Sequence, residues 1–343
     1  GLRQLLAAPA PQFDSAAGER QWLVLLEKVA RDDLALLTAT APRHEANRSY
    51  HARLLLPGLL AAGRLDEARA VLARLPAGEL RETRFELALA QGDVAAAEAQ
   101  ARALRQAAPQ DMALLDRLSF GLQQAGAGRA ALGLLLPAWP YAGELQPLLQ
   151  SRLALLAGEH PDAVDAAARG RLRTPQPTPA LRGAQAAVLA RLGDCEGVVA
   201  VLGDLDAGYE HDDYLRLGDC LRPTRPGLAQ LAYAEAQARR PGGTLATLAL
   251  AYQAQANRDD AVAMAAWQAV PVAALPAADR LAAAHTALEA GDSRAARRWL
   301  DAYAAAGGEQ DAAYWWARAR ADREEDPLQA RVALDNALRL GPQ

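Results

Sequence analysis

Apolar and polar positions along this 343-residue chain fall into short helical stretches that stop at regularly spaced turn signals. Apolar residues recur three and four positions apart, the period of a helix with one buried face. The stretches break at Gly63, Gly92, Gly126, Gly158, Gly193, Thr224, Arg258, Gly291 and Glu325, which lie 29 to 35 residues apart. Five residues after these breaks stand Ala68, Ala97, Ala131, Ala163, Val198, Ala229, Ala263, Ala296 and Ala330. Eight of the nine are alanine. Alanine makes up 85 of the 343 residues, so chance alone supplies about two of nine. Glycine at a break can take the positive φ that ends a helix. A small residue five positions later falls in the first turns of the next helix, where it lets two antiparallel helices approach closely. The pattern predicts helix–turn–helix units repeated along most of the chain.

A period of about 34 residues with a small residue at the helix crossing resembles the tetratricopeptide (TPR) pattern. The segments Gly63-Arg64-Leu65-Asp66-Glu67-Ala68 and Gly291-Asp292-Ser293-Arg294-Ala295-Ala296 show it most clearly. The aromatic positions of the TPR consensus are mostly absent. The expected fold is all-α: TPR-like repeats stacked into a right-handed superhelical solenoid, since one helix pair cannot bury its apolar face alone. Residues 1–43 are expected to hold a pair of capping helices, residues 44–172 a first run of repeats, and residues 180–343 a second. Between them, residues 173–179 carry three prolines and read as a loop inside one solenoid. The chain is expected to continue beyond Gln343, because no polar capping helix follows.

Composition narrows the function. The net charge is -4, from 37 basic and 41 acidic side chains, so a general nucleic-acid binder is disfavoured. No apolar run is long enough to cross a bilayer as a helix. The five histidines form no metal-ligand spacing, and neither a phosphate-binding Gly-rich loop nor a nucleophile elbow is present. The cluster Glu159-His160-Pro161-Asp162 sits at a turn, with Asp162 placed to interact with the start of the following helix, and His211-Asp212-Asp213 opens another helix, where acids favour the helix dipole. No catalytic residue, metal site or cofactor is expected. Binding is the expected role of a solenoid surface.

The C-terminal third carries a closer resemblance. Its segments include Arg216-Leu217-Gly218-Asp219-Cys220, Ala265-Ala266-Trp267-Gln268, Arg298-Trp299-Leu300 and Ala313-Tyr314-Trp315-Trp316. This succession, over about residues 211–320, resembles the periplasmic TPR region of the NfrA family of bacteriophage-adsorption outer-membrane proteins. The resemblance implies a periplasmic scaffold, a C-terminal outer-membrane β-barrel outside this chain, and a role in exporting a surface polysaccharide. It implies an inner-membrane glycosyltransferase as partner, and a phage adsorption protein as a further one. A peptide-binding TPR adaptor, or an envelope assembly factor without a glycan role, is the alternative. With one lysine and few asparagines, a clamp for peptide C-termini is weakly supported.

Two expectations at residue level follow. Cys195 begins one helix and Cys220 ends the next, and neighbouring antiparallel helices would bring them to one edge. The oxidising periplasm that the resemblance implies would let them form a disulfide. Two separate buried thiols are the alternative. In the TPR register, the groove is lined by first helices. Counting from the breaks puts Tyr214 and Trp315 at one groove position, Tyr252 and His285 at a second, and Arg222 and Arg323 at a third, with Asp322 beside Arg323. Flat rings offer faces to sugar C–H surfaces, and Arg and Asp pair with hydroxyls or carboxylates. Aromatics at helical spacing are otherwise core residues. Trp267 and Trp299 lie on second helices and read as packing residues.

Overall fold

A computed structural model describes residues 13–139 and 146–341. These hold twenty α-helices, a few 3-10 turns and no strand. The chain divides into two compact units, residues 1–168 and 169–343. In each, the expected fold is present: helix pairs pack against each other, and first helices of consecutive pairs also touch. In the N-terminal unit, Arg81–Ala90 pairs with Val94–Ala107, and Met112–Gln124 with Gly128–Leu135. In the C-terminal unit the pairs begin with Pro179–Arg191 and Cys195–Leu202, and end with Ala312–Asp322 and Pro327–Leu340.

One local device repeats at the turns. Gly92 and Gly291 sit at φ 71 and 77, a left-handed conformation open to glycine. The next residue, Asp93 or Asp292, donates its backbone N–H back to Ala88 or Ala287, at 2.9 and 2.8 Å. These bonds close the preceding helix in a Schellman motif. The same aspartates then cap the following helix, their carboxylates accepting from the N–H groups of Ala96 and Ala295 at 3.0 and 2.8 Å. A Gly-Asp dipeptide thus ends one helix and starts the next. Arg258 holds the glycine conformation at φ 58 without being glycine, and Asp259 caps Val262 behind it.

The crossing residues behave as the register predicts at seven of nine places. Ala68, Ala97, Ala131, Val198, Ala229, Ala263 and Ala296 are all 0% exposed. Ala163 and Ala330 are only half-buried. The Ala163 exception has a local cause. The helix Gln146–Glu159 runs through Gly158, so the turn moves on to His160. Ala163 then falls in a 3-10 turn, Pro161–Ala163, rather than at a helix crossing.

The Pro-rich stretch is tied down within the C-terminal unit. Arg173 grips Asp194 with two bonds of 2.7 Å. The buried Gln185 side chain accepts from the Gln176 N–H at 3.1 Å and donates to the carbonyls of Leu172 and Thr174. Pro179 then opens a helix capped by Thr178.

Buried His51 and half-buried His285 link stability to pH. Burial holds the His51 imidazole below its ordinary value, and burial with the neighbouring Arg320 does so for His285. On acidification the unfolded chain takes up these protons before the folded one does. Their contribution to stability is therefore complete above about pH 6.5 and is lost as pH falls through the lower folded values. The melting temperature is expected to fall as the pH is lowered below about 6.5. A His51→Gln, His285→Gln variant should show a shallower decline in calorimetry. Asp213 and Glu86, raised by burial, act in the opposite sense and are unchanged in that comparison.

Candidate functional site

The distinctive segment Arg216-Leu217-Gly218-Asp219-Cys220 is built for packing. Leu217 is buried. Gly218 makes room for the Tyr233 ring of the next helix: a Cβ there would lie 2.5 Å from Tyr233 Cε1. The Tyr233 hydroxyl donates to Asp219 at 2.7 Å. Cys220 is bonded to Cys195 on the Cys195–Leu202 helix, with Cα atoms 5.0 Å apart. Gly218, Asp219 and Cys220 therefore join helix His211–Leu221 to both neighbours. Trp267 and Trp299 are buried, as expected for packing residues, and Trp267 donates to Thr286 at 3.1 Å.

The candidate groove residues separate into two groups. Tyr214 is not on a groove surface: it is 1% exposed, its hydroxyl donates to the Asp206 carbonyl at 2.8 Å, and its ring meets Tyr209 edge-on. The loop before its helix folds back over it and seals it. Asp322 is also withdrawn. It is 3% exposed and accepts from Arg318 Nε at 2.7 Å, with Arg297 at 3.9 Å on the other side. It locks helix Ser293–Ala304 to helix Ala312–Asp322 and offers no free carboxylate to a ligand. Arg222 and Arg323 are exposed.

Tyr252, His285 and Trp315 remain accessible, each on the first helix of consecutive pairs. Tyr252 is 43% exposed; its ring meets buried Trp267 at 5.1 Å between centroids and an interplanar angle of 82°, and its hydroxyl donates to Asp279. Burial and that carboxylate push the phenol above its ordinary value, so it stays a neutral hydroxyl. His285 is half-buried. Trp315 is half-buried, fixed by Nε1 donating to the Glu309 carbonyl at 2.8 Å and by an edge contact with Tyr314. Trp316 is half-buried too, and its Nε1 has no partner among the described residues. Beside them, Arg320 pairs with Glu289 at 2.9 Å across two first helices. The arrangement offers fixed ring faces, a neutral imidazole, carboxylates and a guanidinium, and no nucleophile with an adjacent base. It can bind and orient a polar ligand.

Several residues escaped the sequence reading. Asp279, Glu289 and Arg320 complete this surface. In the N-terminal unit, Phe120 is 51% exposed with the Arg152 guanidinium 5.3 Å from its ring centre. Phe120 lies six residues before Gly126, as Tyr252 lies before Arg258 and His285 before Gly291. The same count would have found it. The charged pairs also had a signal, because opposite charges one period apart on first helices face each other. Arg117 meets Glu82 at 3.1 Å and Arg152 meets Asp116 at 2.6 Å, at separations of 35 and 36 residues.

The decisive comparison is with a curated protein from Escherichia coli (strain K12), 34% identical over 343 residues. This chain is similar along its whole length to Bacteriophage adsorption protein A. The match covers 99% of the chain, so the resemblance to the NfrA family extends well beyond residues 211–320. The chain spans 34% of that relative's length. No family model matches. Among solved structures, the TPR domain of P58(IPK) matches 94% of this chain and 97% of its own, at 14% identity and a TM-score of 0.26. The APC/C hetero-tetramer Cut9–Hcn1 matches 93% of this chain and 71% of its own, at 13% identity and a TM-score of 0.31.

Proposed function

We propose that this chain is a non-catalytic periplasmic scaffold of an outer-membrane protein that exports a surface polysaccharide. Its binding face is the set of first helices bearing Tyr252, His285 and Trp315, with Asp279, Glu289 and Arg320 beside them. The similarity to a bacteriophage adsorption protein over 99% of the chain supports the family role. The observation that carries the glycan reading is Tyr252: a ring 43% exposed yet fixed by a T-shaped contact with Trp267, with its hydroxyl on Asp279. A ring held this way presents a preorganised apolar surface with a carboxylate acceptor at its rim, which suits a sugar's C–H and O–H groups. The inner-membrane glycosyltransferase of the same export system is the protein partner. A phage adsorption protein would use the exported polymer or the outer-membrane part of the full-length protein.

The test measures the purified chain against oligosaccharides cut from the exported polymer, with unrelated glycans as controls. Saturable, selective binding is expected. Binding to peptide segments of the glycosyltransferase with none to any oligosaccharide would replace the glycan reading with that of a peptide adaptor.

A further inference from the structure

A cavity of about 330 Å³ lies wholly within residues 38–75, between the helices Leu34–Ala39, Arg48–Ala61 and Leu65–Ala73. Its size is that of a small-molecule pocket. Its apolar part is aliphatic, with the buried side chains Leu55, Leu59 and Leu75 at its floor and no Phe, Tyr or Trp in its lining. Aliphatic side chains match a hydrocarbon chain better than they match the hydroxyls of a sugar.

The polar residues of the lining carry an excess of positive charge. Arg48 and Arg74 both line the cavity. Arg74 is exposed and pairs with no carboxylate among the described residues. Arg48 meets only the exposed Glu45, at 3.2 Å, a contact of little strength in water. The single lining acid, Glu67, is already taken: both of its oxygens accept from Arg64, at 2.6 Å each. His51 adds no charge. It is buried, its Nε2 lies 2.8 Å from the Leu37 carbonyl, and burial keeps it neutral.

We propose that this cavity binds an amphipathic carboxylate, an unbranched acyl chain of about eight to twelve carbons seated on the leucine floor with its head group between Arg48 and Arg74. The chain length follows from the volume, the tail from the aliphatic wall, and the anionic head from the two guanidiniums. A guanidinium pairs with a carboxylate through two parallel hydrogen bonds, a geometry an alcohol cannot offer. The proposal is independent of the glycan reading, since it uses none of the ring-bearing first helices.

Decanoate is the probe, with decanol as the uncharged control, titrated calorimetrically into the whole chain. Saturable decanoate binding is expected, with decanol at least tenfold weaker. Arg74→Glu should weaken decanoate at least tenfold and leave decanol unchanged. Ala70→Phe, at an exposed position on the cavity rim, should remove binding of both. Both substitutions lie outside the core, so circular dichroism should match the parent; Arg74→Ala serves as the milder second variant. Absence of binding, equal binding of decanol, or decanoate binding that survives Arg74→Glu and Ala70→Phe would overturn the proposal.

Discussion

Tryptophan in place of Ala131 or Ala296 is expected to destabilise the fold by about 1–3 kcal/mol. Both alanines are 0% exposed at a crossing between two helices. Their methyl groups set how closely the helix backbones approach. An indole there must push the helices apart or adopt a poor rotamer, because the interior is close-packed. Chemical denaturation followed by circular dichroism measures the loss. Ala163→Trp is the internal control. Its position obeys the same sequence rule, but the shifted turn leaves it half-buried in a 3-10 element. It should cost clearly less than the other two. Equal losses at all three positions would mean that burial at the crossing is not what the small residue provides.

Removing the Cys195–Cys220 bond is expected to cost about 2–4 kcal/mol. The bond spans 25 residues and joins helix Cys195–Leu202 to helix His211–Leu221. It stabilises chiefly by limiting the unfolded chain, so the native contacts of Gly218 and Asp219 with Tyr233 should persist without it. A Cys195→Ala, Cys220→Ala variant should melt several degrees lower with an unchanged helical spectrum. Thiol titration of the denatured, unreduced protein should find no free thiol. Two reactive thiols in that assay would contradict the bond.

The repeat was legible in the sequence because its signals are local. A Gly-Asp turn needs only a residue that tolerates positive φ and a side chain that reaches three residues forward. The crossing alanine follows from the turn by a fixed count. The count misleads where the turn changes. At Gly158 the helix continues, so the residue five positions on falls in a 3-10 turn, and the register recovers at Gly193. The face of a side chain was less legible, because it depends on partners far along the chain. Tyr214 and Trp315 stand at the same distance from their breaks. Tyr214 is sealed by Tyr209 and the Asp206 carbonyl, both in the preceding loop, while Trp315 stays half-open. Asp322 looks like a surface acid in sequence. It is buried because Arg318, one turn earlier, and Arg297, on the previous helix, neutralise it together. Phe120 needed only the count already used for Tyr252.

The proposed polysaccharide site on the first helices carrying Tyr252 and Trp315 is tested most directly at those two rings. The direct measurement is calorimetric titration of oligosaccharides from that polymer into the parent chain and into a Tyr252→Ala, Trp315→Ala variant. Circular dichroism confirms that the variant is folded. Two lost ring contacts of about 0.5–1.5 kcal/mol each should weaken binding about 5- to 150-fold. Unchanged affinity in the folded double variant would contradict the account.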